Sequence, residues 1–172
     1  QLRYQCLLQQ VLEHHLFHLR PFRQLFPSSL ASLSRQLCLR EELQQLNILL
    51  AEDNVVNQKI TIRILEKQGW QVDTVENGQE VIEKNNSKEY DVILMDAQMP
   101  VLDGIETTKI IRKNEEKTGR HVPIIALTAR AMQEDRNRCI DAGMDGYVAK
   151  PIDRKKLFEE ITSVFRKGKS HE

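Results

Sequence analysis

Five residues stand where apolar runs give out, and their types could do phosphoryl chemistry. Asp96 follows VILM and precedes a turn at Met99-Pro100; Glu52-Asp53 follows ILLA; Thr128 closes IIAL; Lys150 closes YVA. A carboxylate at the edge of an apolar core must be paired, metal-bound or kept near water. Three carboxylates brought close together repel one another and raise one another's pKa. A divalent cation removes that conflict, and Mg²⁺ favours oxygen ligands while keeping some of its waters. Asp53, Asp96 and the backbone carbonyl of Gln98 would supply three oxygens, with Glu52 holding a ligating water. Asp96 would then use its other oxygen to attack phosphorus, since carboxylates serve as nucleophiles that form acyl phosphates. Lys150 would neutralise the transferred group from the other side, Thr128 would donate a hydroxyl hydrogen bond to it, and small Ala129 would leave it room.

That chemistry requires a scaffold that gathers these residues. NILLA (47–51), QVDTV (71–75), DVILM (91–95), VPIIALT (122–128) and GYVAK (146–150) read as strands. Between them lie helical patterns at 55–67, 78–86, 104–117, 131–142 and 153–166. In the first helix Val56, Ile60, Ile64 and Leu65 are expected to face inward, and Gly69 to stop it. Gly143 is placed to cap the fourth. The unbroken apolar run before Asp96 suits a central parallel strand buried on both faces. Strands alternating with helices give a three-layer α/β sandwich, (βα)5, around a parallel sheet. Ligands of such sheets sit beyond the carboxyl ends of the strands, where all five residues fall.

Composition splits the chain near residue 46. Residues 1–46 contain no Lys, Gly, Asp or Ile, so they are read as a helical extension or linker, native or foreign to the domain. Residues 47–167 are read as the folded domain and 168–172 as a tail. The extension reads as helix, break at Pro21 and Pro27, and a second run through Leu30, Leu33, Leu37, Leu43 and Leu46. Its leucines make self-association through this segment an expectation. His14, His15 and His18 lack an acid or cysteine to complete a metal set and read as a solvated helix face. With 25 basic and 25 acidic residues there is no general pull toward nucleic acid or anionic membrane. No apolar run reaches a membrane span and no signal-peptide pattern is seen. Cys6, Cys38 and Cys139 are odd in number and lack metal spacing, which fits a reducing, cytoplasmic setting, with a parent chain free to be membrane-attached.

The motifs together resemble the receiver domain of response regulators: LLAEDN with Glu52-Asp53, LMDAQMPVLDG with Asp96, ALTA with Thr128 and AKPI with Lys150. They stand in order, with separations of 43, 32 and 22 residues. The resemblance implies a flavodoxin-like fold with strand order 2-1-3-4-5, Mg²⁺ as cofactor with Mn²⁺ as a substitute, and phosphoryl transfer from a phosphohistidine to Asp96. It also implies a Thr128–Tyr147 switch and a cis peptide bond before Pro151. AEDNVVNQ, MDAQMPVLDG and DAGMDGYVAKP are similar to receivers of hybrid sensor histidine kinases, which exchange phosphate with a kinase phosphohistidine domain or a histidine phosphotransfer domain. In that family the first helix docks the partner, so Val55, Val56, Asn57 and Ile60 are the expected contacts. With KGKSHE following the fifth helix, no DNA-binding output domain is expected in these residues, and no motif of a kinase ATP-binding domain is read in them.

Three other readings fit less well. A phosphatase of the haloacid dehalogenase type needs a second acid two residues after the nucleophile, and Gln98 stands there. A flavodoxin-like FMN carrier needs a phosphate loop that Glu52-Asp53 would repel. A degenerate receiver acting as a phosphorylation-independent interaction module is disfavoured by the full acceptor set.

Overall fold

The computed structural model describes residues 45–129 and 133–168. The readings made for residues 1–44, the histidine cluster and self-association among them, lie outside the described residues, as do 169–172. Among the described residues five strands and five helices alternate: β1 Asn47–Ala51, α1 Val55–Glu66, β2 Gln71–Val75, α2 Gly78–Ser87, β3 Val92–Asp96, α3 Gly104–Thr118, β4 Ile124–Thr128, α4 Gln133–Asp141, β5 Gly146–Ala149 and α5 Arg154–Gly168. All pairings are parallel and the sheet order is β2-β1-β3-β4-β5. This is the expected fold and order.

The strand sequences dictate the layering. β3 and β4 are buried at every position, as strands covered on both faces must be. Successive side chains point to opposite faces. Leu49, Ile93, Met95, Ile124 and Ala126 pack in one cluster with Val81 of α2, Ile111 of α3 and Cys139 of α4. Ile48, Leu50, Leu94, Ile125 and Leu127 serve the other face, where Leu65 of α1 and Leu157 and Ile161 of α5 are buried. There Trp70 meets Phe158 of α5 edge-on, ring centroids 5.3 Å apart. Leu46, read as the last apolar residue of the extension, is 1% exposed, and its carbonyl accepts from Gln71 N at 2.9 Å.

The helix starts follow capping chemistry. Asn54 caps α1 by accepting from Val56 N and Asn57 N, Asn77 caps α2 through Glu80 N, and Asp103 caps α3 through Glu106 N. Gly69, Gly119 and Gly143 take left-handed backbone at helix ends, a conformation other residues adopt at a cost.

The inward face of α1 differs from the sequence reading. Val56 and Ile60 are 65% and 51% exposed, whereas Thr61 and Leu65 are fully buried. Thr61 can go inside because its hydroxyl donates to the Asn57 carbonyl at 2.9 Å, leaving no unsatisfied polar group. The buried stripe is rotated away from the larger aliphatic residues. Strand ends also move slightly: Asp96 is the last residue of β3 rather than the residue after it. β4 begins at Ile124 because the Asp145 carboxylate accepts its N–H at 2.8 Å.

Candidate phosphoryl-acceptor site

The carboxyl ends of β1, β3, β4 and β5 form one cleft. It is lined by Glu52, Asp53, Asp96, Gln98, Thr128, Ala129 and Lys150, with Asn54 and Asn57 from the start of α1 and Asp135, Arg138 and Cys139 from α4. Adjacent parallel pairing of β1 with β3 sets the acids side by side. One carboxylate oxygen from each of Glu52, Asp53 and Asp96 lies within 4.8 Å of the others. Three hard oxygen donors at that separation suit a small divalent cation. Because Asn54 caps α1, Asp53 is left exposed and available to the cleft.

Asp96 is 7% exposed. Its Oδ1 accepts from Gln98 N at 3.1 Å and its Oδ2 from Lys150 Nζ at 2.6 Å. Lys150 crosses the end of β4 to reach it, and lies 2.5 Å from Glu52 Oε2 as well. Burial alone would lower the Lys150 pKa, but Asp96 and Glu52 outweigh it and hold the ammonium above the ordinary lysine value. Lys150 N donates to the Thr128 carbonyl at 2.7 Å, which ties the two strand ends together. The Lys150–Pro151 peptide bond is cis. Thr128 is 6% exposed.

Tyr147, on β5, is half-buried against the core, and the Arg136 guanidinium carbon lies 4.8 Å from its ring centroid. Val55, Val56 and Ile60 form an exposed apolar patch at the start of α1. Asn57 is different: its side-chain amide is spent on Glu52 Oε1 at 2.7 Å.

Two further contributors were not singled out in the sequence. Gly104 lies so close to the site that an added Cβ would fall 2.2 Å from the Asp96 carbonyl oxygen. The Asp103-Gly104 pair was the available signal, since a glycine at the first helical position asks what it abuts. The contribution of α4 to the cleft had no sequence signal.

A doubly wound α/β fold with an acid cluster, a lysine and a hydroxyl at its strand ends offers the groups that phosphoryl chemistry needs. The comparisons define it further. Residues 48–162 match the response regulator receiver domain, and the chain belongs to that family. It is 44% identical over 121 residues to hybrid signal transduction histidine kinase I of Dictyostelium discoideum, and 38% identical over 158 residues to histidine kinase 1 of Arabidopsis thaliana. Those matches cover 67% and 73% of this chain but 7% and 13% of the relatives, so the chain corresponds to a small part of each. Among solved structures, it is 44% identical (TM-score 0.65) to the receiver domain of a Pseudomonas aeruginosa sensor histidine kinase with a magnesium ion coordinated in its active-site cleft. That match covers 70% of this chain and 98% of the other. It is also similar to the receiver domain of the Saccharomyces cerevisiae response regulator Ssk1, solved with the histidine phosphotransfer protein Ypd1 (35% identity, TM-score 0.67, covering 71% and 90%). The chain is thus a two-component receiver domain of the kind found in hybrid histidine kinases and phosphorelay proteins.

Proposed function

We propose that Asp96 accepts a phosphoryl group from a phosphohistidine and passes it to a histidine phosphotransfer partner, or holds it as a conformational signal. The observation that carries this reading is the placement of the Asp96 carboxylate between Lys150, at 2.6 Å, and the Glu52–Asp53 acid pair. Lys150 and the Gln98 N–H hold the carboxylate from two sides, so it is presented without reorganisation. An Asp96 oxygen attacks phosphorus, the N–P bond breaks, and the electron pair leaves on the imidazole nitrogen. Lys150 meets the charge on the transferred group, and the Thr128 hydroxyl donates to it. Mg²⁺, or Mn²⁺ in its place, would be held by Asp53, Asp96 and the Gln98 carbonyl, with Glu52 holding a ligating water, and would supply charge neutralisation at the phosphoryl oxygens.

Output follows from the same contacts. Drawing Thr128 toward the phosphoryl group vacates space beside β4 into which Tyr147 turns, altering the surface of α4, β5 and α5. Val55, Val56 and Ile60 provide the apolar patch for a partner's helix.

The test is intact-mass spectrometry after incubation with Mg²⁺ and a small acyl phosphate. One added phosphoryl group that disappears in Asp96→Asn and without Mg²⁺ is expected. No addition, together with no binding of a stable phosphoryl mimic, would replace this reading with a phosphorylation-independent interaction module.

A further inference from the structure

Glu52 is a fully buried carboxylate, 0% exposed. Such a group persists as an anion only when its oxygens are paired. Its two oxygens have different partners. Oε2 faces Lys150 and Oε1 accepts from the Asn57 side-chain amide at 2.7 Å. The backbone is pinned as well: Glu52 N donates to Val75 O at 3.1 Å, and the Glu52 carbonyl accepts from the Gln58 side-chain amide at 2.6 Å. Asn57 is three residues past the cap Asn54. Helical side chains there lean back toward the N-terminus, which brings its amide to the residues preceding the helix.

The two carboxylate partners are not equivalent. Lys150 is shared with Asp96 and is the group that must follow charge onto a phosphoryl group. Asn57 is neutral and has no competing carboxylate partner among the described hydrogen bonds. We propose that Asn57 is a positioning residue that fixes the Glu52 carboxylate for the divalent cation, and so sets cation affinity, rather than serving only as a docking contact. The proposal rests on the metal-dependent acceptor reading above. Hydrogen bonds to the groups around a metal tune its affinity, commonly by 10-fold or more.

The experiment is Mg²⁺ titration by calorimetry on the whole chain without any phosphodonor. Asn57→Leu keeps the side chain's shape and removes the donor; about 10-fold weaker binding is expected. In a Glu52→Gln background the same substitution should change affinity by less than about 2-fold, because Asn57 acts through that carboxylate. A merely structural role would weaken binding equally in both backgrounds and would overturn the proposal, as would an unchanged affinity in Asn57→Leu. If Asn57→Leu does not fold, the wild-type protein decides. Its Asn57 side-chain amide proton resonances should shift on Mg²⁺ addition, and invariance at saturating Mg²⁺ would overturn the assignment. Wild-type protein that binds no Mg²⁺ would instead overturn the metal reading itself, which separates the two failures.

Discussion

The Lys150 ammonium sits 2.6 Å from Asp96 Oδ2, although 54 residues and an intervening strand separate them. That lysine is ion-paired with two of the three clustered acids, Asp96 and Glu52. Lys150→Met should therefore separate two properties of the site. Divalent affinity should rise roughly 3- to 10-fold, because a competing positive charge a few ångströms away is gone. Phosphorylation by a small acyl phosphate should fall by about 10-fold or more, because the transferred group loses its counter-charge. Mg²⁺ calorimetry and intact mass, run in parallel, read the two effects. A fall in both would mean that Lys150 props the cleft rather than acting on phosphate.

Gly104→Ala should damage the site from behind. The new Cβ meets the Asp96 carbonyl at 2.2 Å and Met95 Cγ at 2.9 Å, and backbone cannot yield as a flexible side chain would. Overpacking of this kind costs about 1–3 kcal/mol. Thermal unfolding should show that loss, and the folded protein should be phosphorylated more slowly at saturating Mg²⁺. Unchanged phosphorylation would show that α3 shifts as a body and leaves Asp96 in place.

Arg112→Lys should destabilise the domain while sparing its chemistry. The guanidinium donates to Glu115 at 2.6 Å, Asp145 at 2.7 Å, the Gly143 carbonyl at 2.8 Å and the Val122 carbonyl at 3.0 Å. An ammonium cannot reproduce that planar fork. Loss of about 1–3 kcal/mol in denaturant unfolding is expected from the carbonyls left without a donor, with the acyl-phosphate reaction of the folded protein essentially unchanged.

Asp73 makes stability pH-dependent. Hydrogen bonds from Lys88 and Tyr90 hold its carboxyl below the ordinary aspartate value, and burial, with Asp73 itself, pushes the Tyr90 hydroxyl up. A depressed carboxylate contributes stability above its unfolded pKa and loses it as pH falls through the folded one. Asp73→Ala should thus be about 1 kcal/mol less stable than wild type at pH 7, mainly through the bond to buried Tyr90. The gap should close as the pH is taken below about 4. A constant gap down to pH 2 would assign the effect to packing alone.

Val56→Asp and Ile60→Asp test the docking face. Both side chains are more than half exposed, so the fold should tolerate them. Transfer from a phosphorylated histidine phosphotransfer domain should fall about 10-fold or more, as for loss of a central apolar contact. Reaction with acyl phosphate should be unchanged.

The order of elements and the principal groups of the cleft were legible because strand ends in this fold collect polar residues, and each of Glu52, Asp53, Asp96, Thr128 and Lys150 interrupts an apolar run. The inward face of α1 was not. Helical spacing assigns Val56 and Ile60 to the core as readily as Thr61 and Leu65, and only the hydroxyl's bond to the preceding turn lets Thr61 displace them. Asn57 was read as surface for a related reason: its partner, Glu52, belongs to the preceding strand end, and periodicity within a helix carries no information about it. Gly104 shows the same limit, since what a glycine lies against is a tertiary fact.

The strand order also fixes when the cleft comes into being. β1 is joined to β3 by way of an edge strand, and the lysine arrives on the last strand. In chain order the three acids all precede Lys150, so its pairing with Asp96 and Glu52 waits until β5 adds to β4. Parallel pairing of this kind closes long loops before it is rewarded. The full constellation of acids and lysine is therefore a property of the completed sheet, which a chain cut before β5 cannot assemble.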